Sequence, residues 1–146
     1  PYKNSFGAYI SKGGRKSPYA GYYIHFEPDN SFIGGGIYQP SPTVLKSIRN
    51  QIFEHTDAYK EILTKKELKN EFSVLEGAKL KMAPKGFPKD FKDIDLLKNK
   101  HFTVRKKIDN KLWLKENSVE LILKSFETQQ DFNHFLNRAV EAEILS

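Results

Sequence analysis

The chain contains no cysteine. Disulfides, thiolate nucleophiles and thiolate metal sites are therefore excluded, and the cytoplasm is the expected compartment. It has one methionine and one tryptophan, and no apolar run approaches the length of a membrane span. No secretory signal pattern opens it, so a membrane is not expected among its partners. Also missing are a Gly-x-Ser-x-Gly elbow, a dinucleotide-binding glycine fingerprint, His-Glu-x-x-His and any paired-cysteine zinc motif. The sequence names no cofactor. Repeats, linkers and low-complexity stretches are absent as well.

What remains suits a single domain, 1–146, because 38% hydrophobic and 13% aromatic residues suffice for a packed core. The net charge of +6 is spread over lysines that mostly neighbour acidic residues, the pattern of a solvated surface. Nucleic acid stays among the candidate partners because Tyr9, Tyr19 and Tyr38 could stack bases.

The strongest local signal is a hairpin. Two aromatic and β-branched runs, Tyr19–Phe26 and Phe32–Tyr38, flank the turn formers Pro28-Asp29-Asn30-Ser31. The expected register sets Glu27 opposite Phe32. Alternation then puts Tyr22, Ile24 and Phe26 on a core face with Ile33, Gly35 and Ile37. Tyr23, His25 and Glu27 share the other face with Phe32, Gly34 and Gly36, and glycines lie across from Tyr23 and His25. Glycine inside a strand marks a bulge or the close approach of another object, a helix or a ligand.

Strands are also expected near 6–11, 78–82 and 101–109. On the last, Phe102 and Val104 face one side and His101, Thr103 and Arg105 the other. Ser41 and Pro42 open an amphipathic helix through His55. Short helices are predicted over 57–63 and 65–72, each capped by a preceding threonine, and over 90–99. The C-terminus reads as two helices, one through Phe126 and one from Gln129 capped by Thr128. Five strands around an adjacent hairpin, with interspersed helices, predict an α+β domain with a mostly antiparallel sheet.

Three places could carry chemistry. His25 with Glu27 two residues on could form an acid/base pair, or two metal ligands completed by His101; the bland alternative is a solvated or helix-covered sheet face. In the loop Lys12–Ser17, Gly13 and Gly14 offer backbone N–H groups while Lys12, Arg15 and Lys16 add charge suited to an anion. A mobile basic hairpin tip explains the same residues. Lys81 and Lys85, around Ala83-Pro84 and Gly86-Phe87-Pro88, could wall a basic cleft or merely flank a turn, and Arg105 and Tyr23 would face the same site. His55 and His134 read as surface or capping residues and Trp113 as the edge of the core.

One set of motifs occurs in a recognisable order: Pro1-Tyr2-Lys3 with Phe6-Gly7, Gly13 through Tyr23, Glu27-Pro28, Gly34-Gly35-Gly36, Leu80-Lys81 with Ala83-Pro84-Lys85-Gly86-Phe87, and Asp95-Leu96-Leu97-Lys98. Through them nearly the whole chain resembles an uncharacterised bacterial and fungal family, domain of unknown function 2461. The resemblance implies no activity. Members are longer, with a helical N-terminal portion, so the resemblance together with the missing initiator methionine predicts a fragment from the family's C-terminal part. Such a fragment is expected to expose apolar surface and self-associate.

The leading functional expectation is a binding module for a small anionic ligand. The alternative is a hydrolase-type enzyme using His25 and Glu27, and the third is nucleic-acid binding.

Overall fold

The computed structural model describes residues 4–75 and 77–146. Pro1-Tyr2-Lys3, part of the family-like motif set, lies outside the described residues.

The fold is α+β. Strands β1 (Phe6–Ser11), β2 (Gly21–Phe26), β3 (Ser31–Ile37), β4 (Ser73–Leu75) and β5 (Phe102–Ile108) form one antiparallel sheet in the order β1-β2-β3-β5-β4. Helices α1 (Pro42–Glu54), α2 (Thr56–Thr64), α3 (Lys66–Glu71), α4 (Ile94–Leu97) and α5 (Ser118–Ile144) complete the set, with a short 3-10 helix at Asn110–Leu114. α5 crosses one face of β3, and α1, α2 and α3 pack against α5. No described helix is long and apolar enough to cross a membrane.

The core lies between the sheet and α5. Ile33, Phe132, Leu136 and Val140 are fully buried there, and Tyr22 meets Phe126 of α5 with ring centroids 5.0 Å apart. Alternation along the strands sends the neighbours of these residues to the opposite face, which α5 does not occupy. That face carries Tyr9, Tyr23, Phe32, Thr103 and Arg105.

The hairpin forms with the expected faces but a different pairing. The turn is Glu27–Asn30, closed by Asn30 N–H donating to the Glu27 carbonyl at 2.9 Å, with Asp29 in the left-handed region at φ 65°. The Ser31 side chain holds Glu27 at the turn entrance, accepting from its N–H at 3.0 Å and donating to its carbonyl at 2.9 Å. His25 therefore pairs with Phe32 and Tyr23 with Gly34, a slip of two residues from the expected register. A slip of two keeps every side chain on its face, whereas a slip of one would have inverted them.

Four further expectations are corrected. Residues 78–82 form no sheet strand: Lys79 makes an isolated bridge to Asn99, and Met82 is 70% exposed. The remaining strand of the sheet is β4, whose three residues pair with β5. The helix predicted over 90–99 contracts to α4, because the chain before it closes successive turns, Pro88 to Phe91 and Phe91 to Ile94. The two C-terminal helices are one of 27 residues. Thr128 caps nothing, its hydroxyl facing the Lys124 carbonyl at 3.4 Å within that helix. Thr56 and Thr64 behave alike, donating back to the Ile52 and Lys60 carbonyls. Ser41 does cap α1, accepting from the Val44 N–H at 3.3 Å.

Candidate functional site

The sheet face away from α5 holds a cleft of about 820 Å³. Its base includes Gly34, Gly35 and Gly36 of β3 together with Thr103 and Arg105 of β5. One wall is the β1–β2 connection, Arg15 to Tyr19, and another is the segment from Tyr38 to Ser41 with His101.

The glycines are dictated by the sheet itself. A Cβ on Gly34 would run into the Val104 carbonyl, and one on Gly36, at φ 102°, into the Phe102 carbonyl. Gly35, at φ 149°, would strike the Gly21 carbonyl and the Gln129 side chain. No other residue fits this backbone. The strands can lie this close only because side chains are missing, and the cleft base is therefore main chain.

Two tyrosines lie along the sheet beside this base. The Tyr9 ring covers Gly21, where an added Cβ would meet it, and the Tyr23 hydroxyl lies over Gly7 in the same way. Each ring thus leans over the glycine diagonally across from it on the β1–β2 pair, on the side of β2 away from β3. Burial pushes the Tyr9 hydroxyl above its ordinary value, outweighing the opposing hydrogen bond from Ser11, so it stays protonated at neutral pH.

The cations come from two directions. Arg105 lies over the Phe32 ring, its guanidinium carbon 3.8 Å from the centroid, a cation–π contact. Arg15 and Lys16 project from the glycine loop. Gly13 and Gly14 take left-handed conformations at φ 82° and 87°, and the N–H groups of Gly14 and Ser17 bond the Ser11 and Gly14 carbonyls. The Gly14 amide is thus used within the loop, and Arg15 and Lys16 are the loop's charged groups at the cleft. Among the described lining residues none is acidic.

His101 forms part of the far wall. Its Nδ1 accepts from the Gln39 N–H at 3.0 Å, and its ring stacks on Tyr38 at 4.6 Å. The neutral ring must therefore carry its proton on Nε2.

Of the sequence-based site residues, Arg15, Lys16, Tyr23, His101 and Arg105 meet at this cleft. His25 and Glu27 sit at its border: His25 stacks on Phe32 at 4.7 Å, its Nδ1 is 3.3 Å from the Tyr23 hydroxyl, and its Nε2 is 3.6 Å from Glu27 Oε1. Lys12 turns away, over the Tyr19 ring at 4.7 Å and 3.8 Å from Glu141. Lys81 and Lys85 are exposed on the loop before α4 and are not part of the lining. His101 cannot complete a metal site with His25. Phe32 links His25 to Lys107 across the sheet, and Lys107 is six residues from His101, roughly 20 Å along a strand. Among the described residues no group of three His, Asp or Glu could hold a metal ion.

The profile of the conserved hypothetical protein family DUF2461 matches residues 1–135. The chain belongs to this family. No curated protein and no solved structure matches it. The DUF2461 description assigns no activity, so the chemistry of the cleft carries the functional argument.

Sequence reasoning missed the groups that hold the DUF2461 cleft in place from behind. Gln129 and Asn133, both buried on α5, donate to the Gly21 carbonyl at 3.2 and 3.0 Å. Asn137 accepts from the Ala20 N–H at 2.7 Å. These amides recur every four residues on an otherwise apolar helix face, and that stripe was the available signal.

Proposed function

We propose that this protein binds a small anionic ligand in the glycine-based cleft. The observation that supports this reading is the meeting of Arg15, Lys16 and Arg105 around a concavity of about 820 Å³ with no acidic residue among its described lining. Such a volume falls in the range of roughly 300–1,000 Å³ typical of small-molecule sites. Arg105, already resting on the Phe32 ring, loses less freedom on meeting an anion than an unsupported side chain would. The test is calorimetry with phosphate, citrate and nucleotide anions against the chain and two variants, Arg105→Gln and the Arg15→Ala, Lys16→Ala double. Binding of at least one anion, weakened tenfold or more in either variant, is expected. Anion affinities unchanged in both variants overturn the reading.

A second reading, acid–base catalysis, is supported by one specific observation. Tyr23, His25 and Glu27 form a chain from hydroxyl to imidazole to carboxylate, with separations of 3.3 and 3.6 Å. With the His25 proton on Nε2 facing Glu27, Nδ1 is free to accept the Tyr23 proton beside the cleft. Hydrolysis of p-nitrophenyl esters and phosphates by the protein and by His25→Ala tests it. Equal rates for the two count against catalysis and leave the binding reading standing.

A further inference from the structure

We propose that the ligand of this cleft carries a planar aromatic ring as well as its anionic group, as an aryl phosphate or a nucleoside monophosphate does. The inference rests on the anion-binding reading and specifies what else the ligand must be.

The first argument is shape. The cleft base at Gly34–Gly36 is bare main chain, and Gly35 between its two buried neighbours is partly open. Glycine allows the face of a ring to approach a peptide plane without meeting a Cβ. Tyr9 and Tyr23 lean over Gly21 and Gly7 and so leave this strip free. The strip is about 7 Å long, two residues of strand, enough for one ring system.

The second argument is placement of charge. Arg105 pairs with Gly34 at one end of the strip, while the loop bearing Arg15 and Lys16 precedes Gly21, which pairs with Gly36 at the other. A ring laid on Gly35 extends its anionic substituent toward Arg15 and Lys16 and its edge toward Arg105. An inorganic anion alone would fill a small part of the volume and leave the tyrosine walls unused.

A small ligand is favoured over a polynucleotide because the strip is long enough for a single ring and the rings at its ends already make stacking contacts. Phe32 is covered by Arg105 and His25, and His101 by Tyr38.

The experiment is calorimetry on the full chain with AMP, UMP, phenyl phosphate, ribose 5-phosphate, inorganic phosphate, adenosine and an eight-nucleotide oligothymidylate. At least one of the three ring-bearing phosphates should bind tenfold or more tightly than ribose 5-phosphate. Thr103→Trp, which fills the strip, should abolish that advantage. Should circular dichroism show Thr103→Trp unfolded, Tyr23→Ala reads the same loss from the wall. If none of the three exceeds ribose 5-phosphate, the ring proposal falls and the anion reading survives. If adenosine matches AMP, or no phosphate binds at all, the anion reading fails and the proposal with it. An oligothymidylate tighter than UMP by more than a hundredfold overturns the commitment to a small ligand.

Discussion

The Asn133 amide, buried on α5, donates to the carbonyl of Gly21 across 3.0 Å. It joins the longest helix to the strand that leaves the basic loop, on the opposite side of the sheet from the cleft. Asn133→Leu removes the donor and puts an apolar side chain beside that carbonyl. Removing one partner of a buried hydrogen bond costs about 1–3 kcal/mol, so the urea midpoint should fall accordingly. Exposed His134, next in sequence, is the control: His134→Ala should leave the midpoint within about 0.5 kcal/mol of the parent.

Much of the fold was legible because its signals are periodic. Alternation in Phe102–Ile108 and in the hairpin assigned faces correctly even where the pairing slipped by two. The slip arose because Ser31 reads as a turn former, yet its hydroxyl serves the Glu27 backbone from the first position of β3. Local capping signals misled at Thr56, Thr64 and Thr128, where the hydroxyl faces its own helix instead. At the site, individual residues were legible but their convergence was not. Arg105 and Arg15 are 90 residues apart in sequence, and only the order β1-β2-β3-β5-β4 brings them together. Nothing local distinguished them from Lys81 and Lys85, which the same chain leaves on an outer loop.

The cleft base predicts a contrast between two glycines with positive φ. At Gly36 a methyl group meets the Phe102 carbonyl and lies 3.0 Å from a Phe132 ring carbon, both held in the core. At Gly14, φ 87°, an added Cβ meets nothing within 4 Å. Gly14→Ala should therefore cost only the left-handed penalty of about 1–2 kcal/mol. Gly36→Ala should cost at least about 3 kcal/mol, since the backbone penalty and the collision add. Comparable thermal midpoints for the two variants would falsify the close-approach account of β3.

His101 supplies a prediction about one atom. Its Nδ1 takes the N–H of Gln39, a non-glycine residue held at φ 51° in the cleft wall. Asparagine can offer an acceptor oxygen near the Nδ1 position, whereas alanine offers none. His101→Asn should keep most of the parent's stability and anion affinity. His101→Ala should lose about 1 kcal/mol of stability, the net worth of one such bond. Amide exchange at Gln39 provides the local readout: protection retained in the asparagine variant and lost in the alanine variant.

Glu71 makes the stability of the fold pH-dependent in a predictable direction. Burial on its own would raise this carboxyl. Hydrogen bonds from Lys106 and Ser125 and the charge of Lys106 outweigh it, and hold the group below the ordinary carboxylate value. Lys106 Nζ lies 2.9 Å from Glu71 Oε1 and 3.0 Å from Ser125 Oγ, so β5 is tied to α3 and α5 at one point. A carboxyl whose folded value is depressed binds protons more readily when unfolded. Its stabilising contribution is thus complete above the unfolded value of about 4.3 and disappears as pH falls through the lower folded value. Glu71→Gln keeps the shape but cannot ionise. The variant should be less stable at pH 7, and the gap should close as the pH is taken from 5 to 3. Urea midpoints at pH 7, 5, 4 and 3 measure this, and a gap that stays constant over that range would show that the Lys106 pairing contributes nothing through charge.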